Sequence, residues 1–424
     1  MGKKRGRCYI CSKSGHRAKA CPDAVCVLCG KKGHIKPDCP DAPPPPLDLG
    51  SFESAASNAG VPAFEQSELF TYCELFAGIG GFRIALDALG GKCVFASEID
   101  EFAKKTYEDN FGERPAGDIT KIPSENMPSF DLLVGGFPCQ TWSFSGRREG
   151  FDDPRGQLFR EIVRIAKCKQ PKAMLLENVR GLATHDEGRS IAVIKKCLED
   201  AGYDVKWKLI DAVDLLPQER VRVFLACVRK DLNAPFTFPS FPRLRRTLSS
   251  ILQHSSATAC IEDVLSAQEE DQLELLERQY NKILKQKYTQ KFPAARFADT
   301  AMPARTLQAS YGSIMINSQF VPASGNRKFP RRFSFRECAR IMGFPESFKL
   351  HPKRSYNMLG NAVAPPVICM LSAALLTSAL KLTRETSWGW QKTKELLIDA
   401  TPKDRRNALE SIFREHARQC NEVQ

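Results

Sequence analysis

The sequence predicts an α/β fold: a doubly wound, Rossmann-like sheet of short buried strands, a small lobe inserted late in the chain, and two compact Cys/His modules at the start. Three observations carry this. Apolar runs such as Phe130-Asp131-Leu132-Leu133-Val134 and Ala173-Met174-Leu175-Leu176 have the length of buried strands. The turn Ala77-Gly78-Ile79-Gly80-Gly81 joins one such strand to a helix beginning at Phe82, where an α/β sheet lets a ligand approach its backbone. Finally, the first forty residues repeat one Cys/His spacing without change.

The chain has 424 residues and is 42% hydrophobic, enough for one large domain with smaller attachments. The longest apolar run, Val367 to Leu376, is half of the roughly 20 residues that cross a bilayer and reads as a core helix. The N-terminus, Met-Gly-Lys-Lys-Arg-Gly-Arg, has no apolar leader. The expectation is therefore a protein that is not secreted: nuclear in a eukaryote, otherwise cytoplasmic. In such a compartment thiols stay reduced, and sixteen cysteines point to metal binding or catalysis. The net charge of +13 favours an anionic partner, nucleic acid first. Residues 1–40 hold ten Lys/Arg against Asp23 and Asp38, a net +8, so most of that signal sits in the first tenth.

Cys8, Cys11, His16 and Cys21 follow C-x2-C-x4-H-x4-C, and Cys26, Cys29, His34 and Cys39 follow it again. Three thiolates and one imidazole satisfy a tetrahedral Zn²⁺. Segments this short cannot fold on apolar burial, so the metal supplies the folding free energy. Chance matching is far less favoured for two tandem copies than for one. These segments resemble retroviral-type zinc knuckles, which bind single-stranded nucleic acid, often RNA, by stacking bases beside basic side chains. Tyr9 holds the position after the first cysteine in one copy and Val27 in the other, so the second has the weaker stacking surface. Residues 41–69 are rich in Pro, Ser and Ala and read as a tether, stiff at Pro43 to Pro46.

The main domain opens with the strand Tyr72 to Phe76 and the glycine turn. A second strand, Lys92 to Ser97, ends in Glu98, twenty residues past Gly78, where an acid can take both hydroxyls of a ribose. Gly117-Asp118-Ile119 closes the next βα unit, and Asp118 can accept from an adenine amino group. Read singly, both acids fit solvated loops better; their order after the glycine turn shifts the balance. The centre of the chain is Gly135-Gly136-Phe137-Pro138-Cys139-Gln140, a cysteine presented at the end of a buried strand.

Six blocks then occur in order: Phe76 to Phe82; Gly136-Phe137-Pro138-Cys139-Gln140; Glu177-Asn178-Val179; Gln218-Glu219-Arg220-Val221-Arg222; Arg336-Glu337-Cys338 with Met342-Gly343-Phe344-Pro345; and Gly360-Asn361-Ala362-Val363. Over about Tyr72 to Leu382 the chain resembles the cytosine carbon-5 DNA methyltransferases, especially the compact bacterial type. The resemblance implies an S-adenosylmethionine-dependent methyltransferase domain with a target-recognition lobe. It implies that Cys139 adds to carbon 6 of a flipped-out cytosine, which makes carbon 5 nucleophilic. Glu177, at the end of an apolar strand, supports ring nitrogen 3, and its desolvation raises its pKa. Asn178 and Val179 shape the pocket wall. Arg220 and Arg222 hold the base and the catalytic loop, with a structural salt bridge the alternative for one of them. For the cofactor, Phe76 stacks on adenine, Gly78 and Gly80 allow close approach, and Glu98 binds the ribose. Asp118 and Ile119 border the adenine, and Pro138 and Asn361 lie by the methionine portion. Ile99 stands where many relatives have an aromatic, which weakens stacking there. Thr141 to Gly156 matches the family's mobile loop, with Ser145 a candidate for the space the base vacates.

The domain boundaries read as 1–40 knuckles, 41–69 linker, 70–230 catalytic domain, 231–332 recognition lobe, 333–383 the C-terminal part of the catalytic domain, and 384–424 a charged helical tail. In the lobe, Leu273, Leu276, Tyr280 and Ile283/Leu284 form a helical stripe that suits core packing, with dimerisation the minor alternative. Arg243, Arg245, Arg246, Arg327, Lys328, Arg331 and Arg332 bracket the lobe and are candidates for phosphate contact. Three functions follow: a DNA cytosine-5 methyltransferase, an RNA methyltransferase of transfer-RNA type, or an inactive knuckle-bearing nucleic-acid-binding protein.

Overall fold

The computed structural model describes residues 68–138, 158–253, 269, 272–313, 318–325, 327–382 and 388–422. Cys139, the loop 141–156 with Ser145, and all eight Cys/His zinc candidates lie outside the described residues.

Six strands form one sheet: β1 Phe70–Leu75, β2 Gly91–Ser97, β3 Leu132–Gly136, β4 Ala173–Val179, β5 Tyr203–Asp211 and β6 Val221–Arg229. Their spatial order is β2-β1-β3-β4-β6-β5. Pairing is parallel through β4, and β6 runs antiparallel to both its neighbours. The sheet is buried on both faces, which is why its strands read as continuous apolar runs rather than as alternation. Alternate residues nevertheless go to different layers. Tyr72, Leu132, Val134, Ala173, Leu175 and Phe224 enter one apolar cluster, and Cys73, Leu75, Leu133, Met174, Leu176 and Val223 enter the other.

The first layer is covered by α1 Gly81–Ala88, α2 Glu101–Phe111 and the helix Pro365–Leu380; the second by α3 Leu158–Lys169 and α4 Arg189–Asp200. Helices on both faces make the sheet doubly wound, as the sequence predicted. α2 starts where Asp100 accepts from the Phe102 and Ala103 amides, at 2.9 and 3.0 Å, and ends at Gly112 in the left-handed region, φ 73°. The helix Phe335–Met342 starts with a capping box between Ser334 and Glu337 and ends at Gly343, φ 78°.

Four expectations change. The βα unit expected around Asp118 has no full strand; only Ala116 bridges Ser97. The apolar segment near the C-terminus is longer than its sequence run: within Ser355–Leu380, 26 residues, an 18-residue window is apolar enough to span a membrane, but that window is 78% buried and is core, as expected. The lobe's stripe splits. Ile283 packs with Leu275 and Phe320, whereas Leu276, which precedes the helix Glu277–Leu284, and Leu284, its last residue, face solvent, 53% and 39% exposed. Arg246 and Arg331 are buried rather than turned to a phosphate. Beyond the catalytic domain, the helices Trp388–Asp399 and Arg406–Glu422 pack on the first layer through Trp388, Trp390, Leu396, Leu397, Leu409 and Phe413.

Candidate active site

β3 delivers the central cysteine. Its last residue, Gly136, pairs with Glu177 of β4, and Phe137 is buried beyond it. A side chain at Gly136 would place its Cβ 3.4 Å from Glu177 Oε2, so glycine keeps the space beside that carboxyl open. Pro138, half-buried, is the last described residue before Cys139.

Glu177 lies on the sheet face covered by the helix Pro365–Leu380. Arg222 is its diagonal neighbour, since Val179 pairs with Arg222 and Glu177 with Phe224. Arg222 Nε stands 3.1 Å from Glu177 Oε1, and their side chains are 15% and 11% exposed. Burial raises the Glu177 pKa, and the Arg222 and Arg220 charges oppose it less strongly. Glu177, Arg220, Arg222, Phe224, Val363 and Val367 line one small cavity of about 10 Å³. That is room for about one water, too small for a base in this conformation.

The expected shared role of Arg220 and Arg222 divides. Arg222 faces the carboxyl. Arg220 lies just before β6, is 3% exposed, and donates to the carbonyls of Leu307, Gly360 and Ala362 at 3.0, 3.1 and 2.7 Å. It ties three chain segments together at the cavity wall. The salt bridge expected for one of the two is found at Arg222, whose partner is the candidate carboxyl Glu177. Gly360 permits this junction, because a Cβ there would lie 2.3 Å from the Ala309 nitrogen.

Asn178 is a clamp, not a pocket wall. It is 1% exposed on the opposite face, and its Nδ2 donates to the Phe137 carbonyl at 3.1 Å. That carbonyl belongs to the peptide joining Phe137 to Pro138, so Asn178 fixes the backbone two residues before Cys139. Proline lacks an N–H and cannot hold this segment itself. Sequence reasoning missed the clamp; the signal was the alternation along β4, which sends Asn178 away from Glu177.

The cofactor candidates gather at the C-terminal ends of β1 and β2. Ala77 N donates to Ser97 O at 2.9 Å, Gly78 N to Glu98 Oε2 at 2.7 Å, and Glu98 N to Ala116 O at 2.9 Å. Glu98 Oε1 accepts the Ile99 and Asp100 amides, both at 2.8 Å, so its carboxylate is fixed in place. Phe76 and Gly78 both have φ 55°, and Gly80 has φ 86°. A Cβ on Gly78 would meet nothing within 4 Å, whereas one on Gly80 would lie 2.3 Å from the Phe111 ring. Gly78 therefore borders open space and Gly80 a packed one. Ile99, next to that carboxylate, is 69% exposed; Phe102 is 44% exposed, with the Arg354 guanidinium over its ring at 4.7 Å and His351 at its edge. Asp118 Oδ1 accepts from Thr120 N at 3.0 Å and Thr120 Oγ1 at 2.7 Å, which lowers its pKa. Ile119 is a core residue, 4% exposed, and Asn361 is exposed at the end of the helix Ser355–Asn361. Open room at Gly78, a fixed acid and exposed apolar surface fit an adenosine group.

The family description "C-5 cytosine-specific DNA methylase" matches residues 70–376. The chain belongs to that family. The type II methyltransferase M.DsaV of Dactylococcopsis salina is 39% identical over 324 residues, covering 74% of this chain and 88% of that protein. The type II methyltransferase M.HhaI of Haemophilus parahaemolyticus is 37% identical over 306 residues, covering 70% and 91%. The S. pombe Dnmt2 methyltransferase structure shares the fold at TM-score 0.54 and 19% identity, over 72% of this chain and 98% of that one. A zinc-knuckle family matches residues 6–23, which contain Cys8, Cys11, His16 and Cys21. Family membership implies S-adenosylmethionine as methyl donor and DNA as substrate.

Proposed function

We infer that the protein methylates carbon 5 of cytosine in DNA, with Cys139 as nucleophile and Glu177 as the carboxyl that supports the ring. The observation that carries the reading is the Glu177–Arg222 pair, buried beside the end of the strand that leads to Cys139.

The chemistry needs a thiolate, because the thiol is a poor nucleophile. The Cys139 sulfur forms a bond to carbon 6 of the flipped base while ring nitrogen 3 is protonated or hydrogen-bonded by Glu177. A carboxyl with a raised pKa is suited to hold that proton. Arg222 steadies the carboxyl in its position. Electron density moves to carbon 5, which takes the methyl group. Loss of the carbon 5 proton then expels the Cys139 thiolate and restores the 5,6 double bond. S-adenosylmethionine supplies the methyl group when bound. Gly78, Glu98, Ile99 and Asp118 would hold its adenosine, and Pro138 and Asn361 its methionine end. Asn178 acts through the Phe137 carbonyl to aim the Cys139 backbone.

The knuckles add a tethered, basic module. Cys8, Cys11, His16 and Cys21 would hold one Zn²⁺, and Cys26, Cys29, His34 and Cys39 a second. Single-stranded nucleic acid or RNA is their expected ligand.

The test uses the full chain, labelled cofactor, and matched duplex DNA and transfer RNA. Label should enter cytosine in DNA, and Cys139→Ala should abolish it. DNA carrying 5-fluorocytosine should trap the wild type covalently through Cys139, because fluorine at carbon 5 blocks the elimination. Methylation without any adduct would overturn the Cys139 assignment. Label entering RNA alone would give the RNA reading its place.

A further inference from the structure

One buried acid has no part in the chemistry above. Glu74 of β1 is 0% exposed, and its Oε1 has no hydrogen-bond partner. Its Oε2 accepts the Tyr107 hydroxyl of α2 at 3.1 Å. Glu74 lies two residues before Phe76, where the backbone turns to φ 55° and enters the glycine loop.

Tyr107 also touches that loop from the other side. Gly80, the N-cap of α1, has no side-chain cap of its own. It is packed so closely under α2 that a Cβ would lie 2.3 Å from Phe111 and 3.2 Å from Tyr107. Arg83, in the first turn of α1, places its guanidinium over Phe111 and Tyr107, 5.3 and 6.0 Å from the ring centres, and pairs with Glu113 at 2.9 Å. The Glu74–Tyr107 bond therefore joins the strand before the loop to the helix that packs on the loop. α2 also begins two residues after Ile99, the exposed apolar residue next to Glu98.

We propose that Glu74 is a positioning residue for the cofactor: through Tyr107 it holds the Gly78–Gly80 loop against α2 and so sets the shape of the adenosine site. This rests on the reading of that site as the place of S-adenosylmethionine.

A pH dependence follows. Burial raises the Glu74 pKa to about 8, with Tyr107 and Arg83 opposing. Glu74 is therefore neutral at pH 7. The groups facing it are Tyr72 and Cys73 on β1, Arg83 and Asp87 on α1, Cys93 on β2, Tyr107 on α2, and Glu113 after it. Cys93 is pushed up to about 12, and Tyr72, Cys73 and Tyr107 lie well above their ordinary values. None of these thiols and phenols ionises between pH 7 and 9. Once Glu74 ionises, the cluster holds an unneutralised buried carboxylate, and the loop must open to hydrate it.

The experiment measures binding of S-adenosylhomocysteine to the full chain by calorimetry from pH 6.5 to 9.5, with the melting temperature of the ligand-free protein recorded alongside. At pH 9, about one unit above the Glu74 value, roughly one molecule in ten keeps the proton, so affinity should fall by up to about tenfold from pH 7. Glu74→Gln keeps the shape and an acceptor for Tyr107 without the ionisation, and its binding should stay flat with pH. Tyr107→Phe should weaken binding at pH 7 and raise the cofactor KM while leaving kcat at saturation unchanged. A wild-type profile flat to pH 9.5, or the same slope in Glu74→Gln, overturns the proposal. If Glu74→Gln does not fold, the wild-type profile and the Tyr107→Phe split still decide. Absence of wild-type binding at every pH would instead sink the cofactor reading beneath it.

Discussion

Two buried Glu–Arg pairs in this molecule differ in how fully they are satisfied. Glu337, in the first turn of the helix Phe335–Met342, accepts four hydrogen bonds. Arg331 Nη1 and Nη2 approach its two oxygens at 2.7 Å each, Gln253 N reaches Oε1 at 2.7 Å, and Ser334 N reaches Oε2 at 2.8 Å. The pair is 3% and 0% exposed. Glu177 has one charged contact, a single Nε at 3.1 Å, beside a cavity and a glycine that leaves room. A saturated carboxylate has no capacity left for a ligand and serves the fold. A carboxyl that is desolvated yet under-coordinated has spare capacity and a raised pKa, and can hand a proton or hydrogen bond to a substrate.

The largest effect should come from breaking the saturated pair. Glu337→Ala leaves a buried Arg331 without its carboxylate and strands two amides, which should cost about 3–5 kcal/mol. Chemical denaturation should show the loss. A cost below about 1 kcal/mol would mean that this pair does not hold Gln253, Arg331 and the start of the helix Phe335–Met342 together.

At Glu177 the balance should invert. Glu177→Gln should reduce methylation by about 10²–10⁴-fold while leaving the folded state nearly as stable. The pH dependence has a definite sign. Because the folded state holds the Glu177 proton more tightly than the unfolded chain, this group's contribution is fully present below the ordinary carboxyl value of 4.5 and is lost as pH rises through the raised value. Comparing the wild type with Glu177→Gln across that window should show the wild type losing relative stability as pH rises. The opposite slope would mean that Arg222 outweighs burial and that Glu177 stays ionised.

This contrast was only half legible in the sequence. Alternation along β6 puts Arg220 and Arg222 on one face, because parity within a strand is a local property, but that Arg222 faces Glu177 depends on the register between β4 and β6. The order of the motif blocks led to the family and the doubly wound sheet. Arg331 read as a basic residue near a lobe, since nothing local shows that Glu337 folds back on it across a capping box. Arg220 read as a partner of the base because it shares parity with Arg222; its acceptors at Leu307, Gly360 and Ala362 are 87 to 142 residues away in sequence. The antiparallel β6 was likewise not read, as strand direction depends on the path of the connection and not on side-chain pattern. What sequence could not supply was the tertiary pairing of polar groups, whether across six residues at Arg331 or across more than eighty at Arg220.

The smallest predicted effect tests geometry rather than charge. A lysine carries the same charge as arginine but only a single ammonium, and cannot reproduce a two-point fork. At position 331 both terminal nitrogens are committed, to Glu337 Oε1 and Oε2, so Arg331→Lys must leave one oxygen short of a donor in a dry site. That should cost about 1–3 kcal/mol. At position 222 the carboxyl takes one contact, so an ammonium at the same distance restores most of the interaction. Arg222→Lys should therefore cost less than about 1 kcal/mol in denaturation and retain measurable methylation. Equal losses at the two positions would erase the distinction between a saturated pair and an open one. A larger loss of stability at 222 than at 331 would reverse it, and would make the Glu177–Arg222 pair a structural brace with the proton-holding role to be sought elsewhere along the cavity.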